Sequence, residues 1–269
     1  NLPFPARHLV DVSSYHYEID GVSAHSLIAQ LGCPFECGFC GGRESSMLRK
    51  IRTRTSDNIV AEMVHMFTTY GTKDFMLYDD ELNVNPKMVE LMKLIGKTQR
   101  ELGVEWRLRG FIKAELFTEE QAAAMFEAGF RWIRTAFESG SPEILQAINK
   151  RATREDNTRC VEIARKHGLK VKALMSIGHP GETPQTIRET MRWLLQVKPD
   201  DFDLSIITCY PGTPYYDQAV QHEFREKVCV DTYRKTGATL SQLAVDYTTT
   251  ADDYKGDRNG GYTAYVITV

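Results

Sequence analysis

Six times between residues 25 and 223 a short apolar run gives way to a helical pattern, and nothing else in the chain limits the fold as strongly. The apolar runs lie at 26–32, 74–80, 104–112, 131–138, 170–178 and 202–210. The helical patterns lie at 56–71, 86–103, 118–129, 141–150 taken together with 153–168, 183–197 and 213–223. Thr118 and Thr183 stand where a helix begins, and Gly71 and Gly103 where one ends. Strands that alternate with helices pair in parallel, because a parallel connection needs a crossover long enough to hold a helix. The expected fold class is therefore α/β. Six units fall short of an eightfold closed barrel, so the pattern fits a partial (β/α)6 TIM-type barrel or an open doubly wound sheet. Both put ligands beyond the carboxyl ends of the strands.

The alternation divides the chain into a lead-in over 1–24, the barrel over 25–223 and an extension over 224–269. The extension is rich in Thr, Tyr, Asp and Gly and closes on a short strand pattern, "YTAYVIT". The basic run "LRKIRTRT" at 48–55 reads as a solvated loop. A net charge of −3 lacks the basic excess of a nucleic-acid surface. No apolar stretch has the length of a membrane span and no secretory signal opens the chain, so a cytoplasmic location is expected.

Where the first strand pattern ends, "CPFECGFC" packs Cys33, Cys37 and Cys40 into eight residues. Cys160, Cys209 and Cys229 are scattered, which does not match the dense disulfide framework of a small secreted domain. Three thiolates spaced C-x3-C-x2-C can converge on a metal centre. Structural zinc takes four protein ligands, and no fourth Cys or His stands at a local spacing. An iron–sulfur cluster held by three cysteines leaves one iron open to a small molecule. Gly32, Gly38, Gly41 and Gly42 let the backbone wrap such a group. A non-catalytic zinc module with a distant fourth ligand is the rival reading from another class.

The cysteine motif, with Phe39 before its last cysteine, resembles the signature of the radical S-adenosylmethionine (SAM) superfamily. The resemblance runs over residues 25 to 220. It implies a partial barrel and a 4Fe-4S cluster on Cys33, Cys37 and Cys40. SAM would chelate the open iron and be reductively cleaved to a 5′-deoxyadenosyl radical. "YDDE" at 78–81 resembles the segment that binds the methionyl amine, and leaves Asp79, Asp80 and Glu81 as candidates. "FESGS" at 137–141 resembles a SAM-contacting segment, which implies Glu138 and Ser139. "SIGHPGET" at 176–183 resembles the segment beside the adenine, which implies Gly178, His179 and Pro180, with a substrate role open to His179. Arg109 is the expected partner of the SAM carboxylate. Cys160 and Cys209 are expected to be structural.

Two flanks, "NLPFPARHLVDVSSY" and "DDYKGDRNGGYTAYVIT", resemble stretches around the barrel of cobalamin-dependent (class B type) radical SAM enzymes. They imply C-methylation or rearrangement of a natural-product or lipid precursor. No D-x-H-x-x-G cobalt-ligand signature is present, so cobalamin is expected on a domain outside this chain. The alternative is a cobalamin-independent radical SAM dehydrogenase, epimerase, cyclase or methylthiotransferase. Expected partners are a small-molecule substrate and a reductant such as flavodoxin or ferredoxin.

Overall fold

In the computed structural model, residues 3–42 and 44–221 are described, with the side chains of residues 219–221 excepted. The expected extension over 224–269, its final strand and Cys229 lie outside them.

Six parallel strands form one sheet: β1 (His25–Leu27), β2 (Asp74–Leu77), β3 (Arg107–Phe111), β4 (Phe130–Glu138), β5 (Lys170–Ile177) and β6 (Asp201–Ile206). Their spatial order is their chain order, with β1 and β6 at the edges. A doubly wound sheet reverses its strand order at a switch point, and this sheet does not. Each crossover steps the same way, so the helices lie on one face while the other lines a partial barrel. The helices are α1 (Ser56–Tyr70), α2 (Met88–Leu102), α3 (Glu119–Glu127), α4 (Arg154–Lys166), α5 (Pro184–Val197) and α6 (Pro214–Gln221).

Alternation along the strands sorts the two faces. Leu108, Ile133, Phe137, Val171 and Met175 are buried against Met63, Met92, Ile95 and Val161 of the helices. The intervening residues Arg109, Trp132, Arg134 and Lys172 are half-buried on the inner face. There Arg134 and Lys172 meet Asp203 of β6 at 3.4 Å and 2.9 Å. Capping boxes at Thr118, Thr153 and Thr183 start α3, α4 and α5. Left-handed Gly71 and Gly103 stop α1 and α2.

Three segments depart from the sequence reading. The run at 26–32 is broken: β1 ends at Leu27, and Gln30–Leu31 pairs antiparallel with Arg52–Thr53 of the basic run. That run is therefore folded against the cysteine loop. The helical segment over 141–150 and 153–168 is two helices, Pro142–Ala147 and α4, separated by a turn in which Asn149 and Arg151 have φ of 55° and 63°. The last strand stops at Ile206, short of Tyr210.

The lead-in packs against the barrel. Its hairpin, Glu18–Ile19 with Val22–Ser23, buries Ile19 completely. Tyr17 Oη lies 3.4 Å from Arg109 Nη1, and Trp132 Nε1 donates to Asp20 Oδ1 at 2.9 Å. Arg7 and Arg54 both reach the buried Glu62 of α1 at 2.6 Å. A buried carboxylate that loses its cations, or cations that lose it, leaves charge without compensation. Glu62→Ala is expected to destabilise the chain by about 3 kcal/mol or more, measured by denaturant unfolding. A loss under about 1 kcal/mol, as for an exposed pair, contradicts this account.

Candidate functional site

The cysteine loop follows β1 and turns on glycines that no other residue replaces. Gly32 has φ +97°, and a Cβ there would lie 2.2 Å from Lys50 O. A Cβ on Gly38 would lie 2.9 Å from the Tyr215 ring. The loop is tied on both sides. Cys33 N–H donates to Leu48 O (2.9 Å), Gly38 N–H to Ile148 O (2.9 Å), and Tyr215 N–H to Gly38 O (3.3 Å). Beneath it Ile144, Leu145, Ile148 and Tyr215 form a small apolar cluster with Phe39. Cys33 and Cys37 are half-buried and Cys40 is exposed; all three thiols are free, as is that of Cys160. Burial pushes the Cys33 thiol up to about 11 and raises that of Cys37. Among the described residues no three His, Cys, Asp or Glu side chains close on a single ion.

The three acids after β2 have different surroundings. Asp79 is buried, and its Oδ1 accepts the backbone N–H of Gln30. Burial pushes its carboxyl up to about 7, and its Oδ2 is left without a partner among the described residues. Asp80 is exposed and accepts Gly32 N–H at Oδ2 (3.2 Å), next to Cys33. Glu81 is also pushed up to about 7 by burial, against the opposing pull of Lys150 and Lys113. Both Glu81 and Asp80 act on the charge of the Cys33 thiol.

Glu138 ends β4 at a bulge, with a left-handed φ of 63°. Such a conformation is costly for a residue with a side chain, and here its carboxylate is held from two sides. Lys150 Nζ donates to Oε1 at 3.3 Å and Ser176 Oγ to Oε2 at 2.5 Å. Ser176 Oγ also lies 2.8 Å from His179 Nε2, and His179 Nδ1 lies 3.1 Å from Tyr215 Oη. Because the serine proton goes to Glu138, His179 must donate through Nε2, and with burial keeping the ring unprotonated at Nδ1 it accepts there from Tyr215. That is a neutral imidazole. Burial lowers its pKa to about 4, with Glu138 opposing. Burial would lower Lys150 too, but Glu138, Cys37 and Glu81 outweigh it and its pKa is raised.

Not every expected residue joins this centre. Ser139 is buried but turns toward α5, with Oγ 2.9 Å from Thr190 Oγ1, and fixes the loop after β4. Gly178 has φ +89° and donates its N–H to Glu182 Oε2 at 2.6 Å, which holds the Gly178–Pro180 turn over Ser176. Arg109 does not end its strand. It lies two residues before Phe111, on the inner face between Tyr17 and Trp132. The cations at the carboxyl end are Lys113 and Lys150, both buried, which the sequence reading missed. Lys113 Nζ lies 2.7 Å from Glu115, donates to Lys150 O at 3.2 Å and sits 4.1 Å from the Phe35 ring centroid. A lysine immediately after the apolar run 104–112 was the available signal.

The Radical SAM superfamily profile matches residues 27–194, more than half the chain. This chain belongs to the radical SAM superfamily. It is 30% identical over 222 residues to an uncharacterized methyltransferase of Pyrococcus horikoshii, covering 81% of this chain and 46% of that protein. It is 26% identical to the anaerobic magnesium-protoporphyrin IX monomethyl ester cyclase of Cereibacter sphaeroides, covering 84% of this chain and 36% of that one. The fold superposes on the radical SAM methyltransferase TsrM of Kitasatospora setae, solved with cobalamin and a 4Fe-4S cluster. The TM-score is 0.66 at 23% identity, over 74% of this chain and 37% of TsrM. The chain thus spans less than half the length of each of these proteins. It is an enzyme of the radical SAM class, and the family implies a 4Fe-4S cluster and SAM.

The residues present fit a cluster. Three free thiols stand on a glycine-lined loop, and the protons of Cys33 and Cys37, held by burial, would be released to metal. Asp79 can be tested by itself. Its folded pKa is raised, so its contribution to stability is full below its ordinary value near 4 and is lost as pH rises through about 7. Asp79→Asn keeps an acceptor for Gln30 N–H and removes the charge. It is expected to raise the Tm of metal-free protein more at about pH 8 than at about pH 4.5. Equal shifts at both ends of a thermal-melt series would rule out this role.

Proposed function

We propose that the chain holds a 4Fe-4S cluster through Cys33, Cys37 and Cys40 and reductively cleaves SAM. In this reading the whole protein uses that chemistry for cobalamin-dependent C-methylation or rearrangement of a small organic precursor. The observation that carries the proposal is the meeting, at one end of the barrel, of three free thiols with the Asp80 and Glu81 carboxylates and two buried lysines. Similarity to proteins named as methyltransferases and a ring-forming cyclase supports the choice of reaction. Cobalamin would sit on a part of the protein outside this chain, and a one-electron donor such as flavodoxin or ferredoxin would supply the reducing equivalent.

When bound, the cluster and SAM supply the one-electron reduction that splits the sulfonium. The chain's own side chains bind and orient. Glu81 and Asp80 would accept hydrogen bonds from the methionyl amine, while Asp79 holds the backbone at Gln30. Lys113, in place of Arg109, would donate to the methionyl carboxylate, because it lies at the level of the cysteine loop. Glu138, steadied by Lys150 and Ser176, would serve the ribose and methionyl end. The Gly178–His179–Pro180 turn would serve the adenine, with neutral His179 adding no further positive charge. Phe39 and Tyr215 keep water from this side of the loop.

The test is anaerobic reconstitution of the full-length protein. Expected are about four irons and four sulfides per chain, 5′-deoxyadenosine from SAM under reduction, and bound cobalamin by absorbance. Cys37→Ala is expected to reduce cluster content and 5′-deoxyadenosine to background, while Cys160→Ala, in the buried core, retains both. A Cys37→Ala protein that still cleaves SAM overturns the ligand assignment. A full-length protein that cleaves SAM without binding or needing cobalamin overturns the cobalamin branch alone.

A further inference from the structure

The turn Ile148–Arg151 touches the cysteine loop at successive residues, and this contact belongs to none of the motifs. Ile148 O accepts Gly38 N–H (2.9 Å), Asn149 Nδ2 donates to Glu36 O (3.0 Å), and Arg151 Nη2 lies 3.7 Å from Glu36 Oε2. Glu36 is gripped from its other side by Arg49 at 2.7 Å. All three residues between Cys33 and Cys37 are held by cations. Arg49 Nη2 donates to Pro34 O (3.4 Å), Lys113 sits over the Phe35 ring, and Arg49 and Arg151 flank Glu36.

The turn is also conformationally unusual. Asn149 is left-handed as an ordinary helix cap, with Lys150 N–H reaching back to Leu145 O. Arg151 is left-handed as well and has no capping task. A side-chain-bearing residue persists in that region only when its surroundings hold it there. Its side chain reaches the cysteine loop at Glu36.

We propose that the Ile148–Arg151 turn is a clamp that, acting through Glu36, fixes the Cys33–Cys40 loop in its cluster-binding shape. Asn149 and Arg151 are positioning residues: neither is a ligand, and both act on the span between two ligands. A loop ordered before metal arrives loses less entropy on binding, so the clamp slows loss of the cluster and sets the direction of the thiols. This inference rests on the cluster assignment above.

The experiment uses anaerobically reconstituted full-length protein. It reads the rate of iron loss to a chelator, the electron paramagnetic resonance spectrum of the reduced cluster, and the Tm of metal-free protein. Asn149→Gly relieves the left-handed backbone and removes the amide. It is expected to leave the metal-free Tm unchanged or higher while iron loss speeds up about tenfold. Arg151→Ala, at an exposed side chain, is expected to speed loss and shift the spectrum, Arg151→Lys to restore part of the protection, and Arg154→Ala nearby to do neither. Wild-type rates and spectra in both Asn149→Gly and Arg151→Ala overturn the clamp and leave the cluster assignment standing. Faster loss that only tracks a lower metal-free Tm overturns it too. A wild-type protein that takes up no iron and sulfide overturns the assignment itself.

Discussion

The buried pair of Lys150 and Glu138 is the contact on which the rest of the site depends. Taking both charges out of water is costly, and the mutual attraction offsets it only when the remaining oxygens and protons are also satisfied. Here Ser176, itself held by His179, completes the Glu138 side, and Lys113 ties down the backbone carbonyl of Lys150. Through that pair the end of β4, the turn after Pro142–Ala147, the end of β5 and the cysteine loop are held in one arrangement. Glu138 can adopt its left-handed backbone because this ring of partners fixes its carboxylate.

Charge is distributed unevenly over the carboxyl end of the barrel. Glu81, Glu115 and Glu138 face Lys113 and Lys150, with the cysteine loop above them. The imidazole of His179 stays neutral at the edge of this set, and its hydrogen bonds run in one direction from Tyr215 to Glu138. The inner face below carries different chemistry, with Arg109, Trp132, Arg134 and Lys172 lining the barrel away from the cysteine loop.

Much of this was legible in the sequence because it is local. The six βα units follow from periodicity and from caps such as Thr118 and Gly71. The cysteine loop follows from spacing and glycine content. What failed depended on contacts between distant segments. The two runs at 141–150 and 153–168 are separate helices, stopped by a left-handed cap at Asn149 and restarted by the capping box at Thr153, and what the sequence did not show is that the turn between them reaches the cysteine loop. The expectation for Arg109 rests on resemblance alone, and its place on the inner face between Tyr17 and Trp132 is set by segments distant in the chain. Lys113 and Lys150 resembled ordinary surface lysines, since a sequence does not show which lysines are buried with acids.

The sequence by itself determined the class of fold, the cysteine loop and the family to which it points, because each rests on residues close in the chain. Only the tertiary structure decided between a partial barrel and a doubly wound sheet. Both have the same alternation, and they differ in whether successive crossovers step in one direction, which is a property of strand order in space. It also sorted the three acids, with Asp79 turned to Gln30 and Asp80 and Glu81 facing Cys33. Neighbouring carboxylates are chemically alike until the backbone donors and cations around each one are known.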